Sequence, residues 1–167
     1  MKQTYTSKQT SINSKKAPAI YGMKKAIETM TGKRVIDIGG GRFDTAQEAA
    51  RKYSAMVSIY DPYNRNEAHN REVIGGAYEI AVISNVLNVI DSEAARRDVI
   101  QLAGSKADTI LITVYEGDKS GKGRQTAADS WQENRATEDY IKEIAAALPL
   151  WNVQRFGKLI QARRKII

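Results

Sequence analysis

The stretch VIDIGGGRFDTAQEAA, residues 35–50, decides the reading of this chain. Val35 to Ile38 is a short, largely β-branched run that ends in glycines, which predicts a buried strand and not a helix. Asp44 then stands as the cap of a helix running to Lys52, with Gln47 in the reciprocal capping position. A strand, a glycine turn and a helix N-terminus is also the layout of a dinucleotide-phosphate site, whose fingerprint reads G-x-G-x-x-G. Gly39 and Gly41 fit that fingerprint, but its third position is Asp44. An aspartate there repels phosphate, and Asp37 sets a second negative charge beside the turn. A ligand carrying an ammonium or a sulfonium suits the loop better; a plain glycine turn without a ligand is the other reading.

Working outward, Met56–Tyr60 is the next strand, closed by Asp61 and Pro62. Asp61 lies 24 residues after Asp37, where a strand-end carboxylate can accept hydrogen bonds from both hydroxyls of a ribose. Upstream, Pro18 suits a first helical turn, and Ile20, Met23, Ile27 and Met30 share one helical face before Gly32 stops the helix. Downstream, Asn64–Ala77 leaves room for one helix and a token strand at Glu72–Ile74. Tyr78–Ser84 reads as a strand, and Ser92–Ala103 as a helix with Val99, Ile100 and Ala103 inward. DTILITVYE (residues 108–116) is the fourth strand, and residues 117–130 the longest loop. Glu138–Leu148 is a helix, and WNVQRFGKLIQARR (residues 151–164) two final strands turning at Gly157. Regular alternation of doubly apolar strands with helices predicts an α/β fold: a three-layer α/β/α, Rossmann-like sheet, mostly parallel, with an antiparallel last strand and an abbreviated third-strand region. Ligands in such sheets bind beyond the carboxyl ends of the strands, where strand order reverses.

At 167 residues and 42% hydrophobic, the chain has room for one core. The expected organisation is a flexible basic arm, residues 1–16, holding only Ile12 as a large aliphatic, followed by one domain, residues 17–167. No run approaches the roughly 18–20 apolar residues of a membrane span, and the N-terminus lacks the apolar core of a secretory signal, so a cytoplasmic protein is expected. The absence of cysteine excludes disulfides, thiolate metal ligands and a cysteine nucleophile. His69 is the single histidine, which excludes a His-rich metal site; in its polar setting it reads as a surface residue. The net charge of +7 resides in residues 1–34, which carry eight basic residues and one acid; the remainder is neutral. A second basic cluster, Arg155, Lys158, Arg163, Arg164 and Lys165, lies at the end of the chain. These segments either track phosphates, which would make nucleic acid a partner, or are solvated tails.

At these residues the chain resembles the class I S-adenosylmethionine-dependent methyltransferases, over most of residues 33–165. VIDIGGG is similar to their first motif, IYDPY to the second with its ribose acid, and YEIAVISNVLNVI to the fourth strand and the turn beneath the methionine moiety. The usual third glycine is Phe43 here. SINSKKAPA, YDPY, VLNVI and WQENRATEDYI are also similar to methyltransferases associated with DNA phosphorothioation systems, which implies DNA only by association. The resemblance implies S-adenosyl-L-methionine as cofactor. Gly39, Gly40 and Gly41 would approach the methionine portion, and Asp37 its ammonium. Asp61 would hold the ribose and Pro62 or Tyr63 the adenine, while Ser84 and Asn85 would line the sulfonium.

Methyl transfer asks the protein mainly to orient and desolvate. Without cysteine, ordinary cytosine C5 methylation is excluded. Ser84-Asn85-Val86-Leu87 stands where exocyclic-amine methyltransferases of bases carry Pro-Pro-aromatic. An oxygen or nitrogen of a small or nucleotide-like molecule is then the expected acceptor. Glu116 is a candidate base, Tyr115 and Asn85 further catalytic candidates, and Tyr115 or Trp131 a stacking surface. Asn88, Gln132, Asn134 and Arg135 are candidates for holding the acceptor, with Lys15, Lys16 and Tyr21 folding over the occupied pocket. Two rivals stay open: a nucleic-acid modifier that grips phosphate, and a protein that sequesters or consumes the cofactor without an acceptor.

Overall fold

Strand β1 (Arg34–Ile38) is apolar on both faces because it crosses the middle of a sheet. Val35 packs into the core on one side, Ile36 and Ile38 into the core on the other. The structure, a computed structural model, describes residues 3–8 and 16–166. Strands β1, β2 (Met56–Tyr60), β3 (Ile80–Ser84), β4 (Thr109–Thr113), β7 (Trp151–Phe156) and β8 (Leu159–Arg164) form one six-stranded sheet. Its order is β2-β1-β3-β4-β8-β7; β1 to β4 are parallel and β8 runs against both its neighbours. β5 (Arg124–Ala127) and β6 (Ser130–Gln132) form a separate hairpin. Helices α1 (Lys24–Met30) and α2 (Thr45–Arg51) bury one face of the sheet; α3 (Glu67–Gly75), α4 (Glu93–Lys106) and α5 (Ile141–Ala147) bury the other. This is the three-layer Rossmann-like architecture expected, with its antiparallel strand. The chain leaves β1 for β2, and α3 returns it to β3 on the opposite side of β1. Strand order therefore reverses between the carboxyl ends of β1 and β3.

Several local expectations give way to tertiary contacts. The helix from Pro18 is split into a 3₁₀ turn, Ala19–Gly22, and α1, because Met23 is extended (φ −78°, ψ 126°). Ile20, Tyr21, Ala26 and Met30 are buried in consequence, while Met23 and Ile27 are half-buried. The capping box at α2 does not form: Asp44 pairs with Arg65 at 2.8 Å and Gln47 donates to the Val57 carbonyl at 3.0 Å. Glu72–Ile74 is helical, so that among the described residues β2 stays the sheet edge. Asn66 caps α3, accepting from the His69 amide at 2.8 Å, and Tyr78 and Lys106 donate to the Val73 and Ile74 carbonyls at its other end. His69 is half-buried, its ring bonded to the Ile59 carbonyl at 2.7 Å, and so is no free surface residue. The long loop contains β5, and the helix expected from Glu138 opens as a 3₁₀ turn, Thr137–Tyr140, before α5.

Residues 3–8 are not a free tail. The Thr4 and Thr6 amides donate to the carboxylates of Asp91 (2.9 Å) and Asp129 (2.8 Å), the Ser7 amide donates to the Asp129 carbonyl at 2.8 Å, and the Tyr5 ring stacks on Trp131 at 5.5 Å. Backbone bonds and one aromatic pair do here what aliphatic burial could not. No helix among the described residues is long and apolar enough to cross a membrane.

Candidate active site

The glycine turn is built to be tight. Gly39 has φ +78° and donates to the Tyr60 carbonyl at 2.7 Å; a Cβ there would lie 2.5 Å from a Val86 methyl. Asp61 welds the turn to β2. One carboxylate oxygen accepts from the Gly41 amide at 2.9 Å and the Asn64 side chain at 3.2 Å, the other from the Tyr63 and Asn64 amides at 2.9 Å each. These donors occupy the carboxylate's ordinary accepting capacity. Arg65 closes the far side, donating to the Gly41 carbonyl at 2.8 Å, the Phe43 carbonyl at 3.0 Å and Asp44. Phe43, in the place of the usual third glycine, is half-buried and walls the cavity. Asp44 does not line the cavity, and Arg65 offsets its charge, so Asp37 and Asp61 alone of the expected acids face the site.

Asp37 lies under the turn, only 1% exposed. The Tyr21 hydroxyl donates to its Oδ2 at 2.5 Å, while Oδ1 has no hydrogen-bond partner. Burial pushes its carboxyl up to about 6, opposed by the Tyr21 hydrogen bond and reinforced by the charge of Asp61.

A cavity of about 750 Å³ opens across the carboxyl ends of β1 and β3, a volume suited to small molecules. Every position expected to hold the cofactor lines it: Asp37 and the three glycines, then Asp61, Pro62 and Tyr63, then Ser84 and Asn85. Asn85 is exposed and left-handed (φ +55°), a conformation asparagine tolerates, with its amide donating to the Thr113 carbonyl at 2.9 Å. Ser84 pairs with the Thr113 hydroxyl at 3.0 Å.

Of the residues expected at the acceptor, Asn88, Tyr115, Trp131 and Gln132 line the cavity. Tyr115 is 63% exposed at its mouth. Trp131 is covered by Tyr5 and donates through Nε1 to Glu133 at 3.2 Å, so that face is not open to a substrate. A chain of amides runs along the wall. Gln132 donates to the Tyr115 carbonyl at 2.9 Å and accepts from Asn88 at 3.1 Å, leaving Asn88 Oδ1 buried without a partner. The carbonyl at one end can only accept, and it orients both amides.

Other expected residues lie elsewhere. Glu116 does not line the cavity; Lys158 and the Thr137 amide hold its carboxyl well below the usual carboxylate range. Asn134 is buried and bonded to the Lys122 carbonyl at 3.0 Å, and Arg135 pairs with Glu143 at 2.8 Å over the Tyr140 ring. Tyr21 is buried behind Asp37, Lys16 is exposed outside the lining, and Lys15 falls outside the described residues, as does most of SINSKKAPA.

Sequence reasoning missed three contributors. Ala95, Val99 and Leu102 form a wall on α4 whose spacing of four and three was legible as a helix face. Gln3, Thr6 and Ser7 roof the cavity, with no local signal. Arg96, its side chain 7% exposed, binds Glu133 (2.7 Å), Glu143 (2.6 Å) and the Ile90 carbonyl (2.7 Å), tying the β5–β6 hairpin's base to α4 and α5. Three carboxylates, Asp37, Asp61 and Asp98, line the cavity, and among the described residues no lysine, arginine or histidine does. No cluster of metal-ligating side chains occurs among the described residues.

No family model and no curated sequence matches the chain. Solved structures do. The sugar N-methyltransferase KedS8 from Streptoalloteichus aligns over 99% of this chain and 95% of its own, with TM-score 0.65 and 10% identity. Magnesium protoporphyrin IX methyltransferase from Synechocystis, with bound S-adenosylhomocysteine, aligns over 96% and 84%, with TM-score 0.59 and 16% identity. The glycopeptide N-methyltransferase MtfA, also complexed with S-adenosylhomocysteine, aligns over 89% and 91%, with TM-score 0.58 and 11% identity. Taken with the strand order and the glycine turn at its reversal, these likenesses show that the chain has the Rossmann-like fold of S-adenosylmethionine-dependent methyltransferases.

Proposed function

We propose that the protein is an S-adenosylmethionine-dependent methyltransferase that methylates an oxygen or nitrogen of a small molecule. The observation that carries this reading is the lining of the cavity. A glycine turn and carboxylates, with no lysine, arginine or histidine beside them among the described residues, suit a sulfonium and ammonium ligand, and disfavour a phosphate-rich one. When bound, the cofactor supplies an electrophilic methyl group. The backbone of Gly39–Gly41 would hold its methionine portion, and the charge of Asp37 would favour its ammonium. Asp61 would hold the ribose by exchanging the Asn64 side-chain bond, the longest of its four. Pro62 and Tyr63, which line the same cavity as Val99 and Leu102 of α4, would hold the adenine.

On the acceptor side, Asn88 Oδ1 is fixed as an acceptor, so it suits a nucleophile that carries N–H or O–H. Residues 3–8 and the β5–β6 hairpin exclude water from above. Glu116, held as an ion pair outside the lining, is replaced in this reading by orientation and desolvation alone. The unsatisfied Asn88 also favours transfer to an acceptor over sequestration of the cofactor. The nucleic-acid reading keeps the support of the basic segments but none from the cavity. The likeness to phosphorothioation-associated enzymes links this chemistry to DNA only by association.

Calorimetric titration with S-adenosylhomocysteine is expected to show binding that weakens at least tenfold in Asp61→Ala. Incubation with S-adenosylmethionine and a small-molecule extract is expected to yield a product heavier by one methylene, read by mass spectrometry. No binding by the unaltered chain would refute the reading.

A further inference from the structure

Tyr21, expected from the sequence to fold over the pocket, lies beneath the glycine turn instead. It sits on the 3₁₀ turn Ala19–Gly22, is 3% exposed and does not line the cavity, so it cannot touch a ligand there. Among the described residues its hydroxyl alone of the side chains donates to Asp37, at 2.5 Å to Oδ2. A buried carboxylate with one oxygen unpartnered favours its neutral form. Asp61, at the end of β2, pushes the same way, while Arg65, ahead of α3, with Nε and Nη2 bonded to Gly41, Phe43 and Asp44, opposes through its charge alone. The Tyr21 phenol is the direct counterweight. Burial and the Asp37 charge push its own ionisation well above the ordinary tyrosine value, so it remains a donor throughout the physiological range. Tyr53 completes the surroundings, its hydroxyl donating to the Tyr21 carbonyl at 3.4 Å.

We propose that Tyr21 is a positioning residue for the cofactor site: by pinning Asp37 from behind, it keeps a negative charge under the glycine turn and so governs affinity for a cationic ligand that it never meets. This rests on the methyltransferase reading of the cavity. Without Tyr21, Asp37 would take up a proton at neutral pH and the site would lose the charge that selects an ammonium.

The test is calorimetric titration of the full chain with S-adenosylhomocysteine from pH 5.5 to 8.5, for the unaltered protein, Tyr21→Phe and Asp37→Asn. Affinity of the unaltered chain should fall as pH drops through about 6. In Tyr21→Phe the fall should begin at higher pH, with binding several-fold weaker at pH 7 and recovered by pH 8.5. Asp37→Asn should bind weakly with a flat profile. Repeating the unaltered titration near pH 6 in buffers of different ionisation enthalpy should show a proton released on binding, a readout independent of any variant's folding. A Tyr21→Phe profile that is unchanged, or lowered equally at every pH, overturns the proposal and leaves the methyltransferase reading standing, as does binding without proton release. No binding by the unaltered chain at any pH overturns both.

Discussion

Replacing Asp37 by asparagine is expected to stabilise the unliganded protein at neutral pH while weakening its hold on the cofactor. Burial raises the Asp37 carboxyl from the ordinary 3.8 to about 6. At about 1.4 kcal/mol for each tenfold change in proton affinity, keeping this group charged in the folded chain costs on the order of 3 kcal/mol. The pH window follows from the direction. Below about 4 both folded and unfolded chains hold the proton and the cost is absent; between about 4 and 6 the unfolded chain loses it first, so stability falls as pH rises; above about 6 the cost is complete. Asparagine keeps the shape and can still accept from Tyr21, but its amide nitrogen would occupy the place of the unpartnered Oδ1, which returns about 1–2 kcal/mol of penalty. The net gain is about 1–2 kcal/mol, or about 2–8 °C in Tm for a chain of this size. Thermal unfolding followed by circular dichroism at pH 7.5, 5.5 and 4 measures it. The variant should melt above the unaltered protein at pH 7.5, and below it near pH 4, where the charge cost is gone and only the amide penalty remains. A variant that melts lower at pH 7.5, or by an amount indifferent to pH, would show that Asp37 is not a buried charge held at a cost.

Other substitutions probe different parts of the site. Gly39→Ala combines a left-handed backbone with a Cβ 2.5 Å from Val86; a loss of about 2 kcal/mol or more in urea unfolding is expected, only partly restored by Val86→Ala, which relieves the clash but not φ. Arg96→Met leaves Glu133 without its counter-charge and weakens the hold on Glu143, and should cost about 3–5 kcal/mol in the same assay. Glu116→Gln should leave the rate of product formation within about twofold, because that carboxylate is ion-paired outside the cavity; a loss of a hundredfold or more would return it to the role of general base.

The strands were legible because their signals are local, whereas their order came only with the structure. Doubly apolar runs such as Val35–Ile38 and Ile80–Ser84 have few ways to be satisfied other than the middle of a covered sheet. One wall of the cavity was legible for a related reason: residues at the ends of those strands, Asp37, Gly39, Asp61 and Asn85, are carried to one edge by the strands themselves. The opposite wall was half legible. Asn88 and Gln132 were anticipated as polar groups, but their joint orientation depends on the Tyr115 carbonyl, which is distant in sequence. Glu116, Asn134 and Arg135 looked equally functional and are instead held by Lys158, Lys122 and Glu143.

Alone, the sequence determined the alternating architecture, the glycine turn and the charge that makes this turn a poor phosphate site, because each depends on residue type and short spacing. Only the tertiary structure decided which acids bear on the cavity. Asp44 is offset by Arg65 and Asp61 is saturated by three backbone amides and the Asn64 side chain, whereas Asp37 is left with one free oxygen and Tyr21 behind it. It also decided that residues 3–8 roof the site. The Tyr21–Asp37 pair and the docking of residues 3–8 depend on partners between 16 and 124 positions away, and no local pattern encodes them.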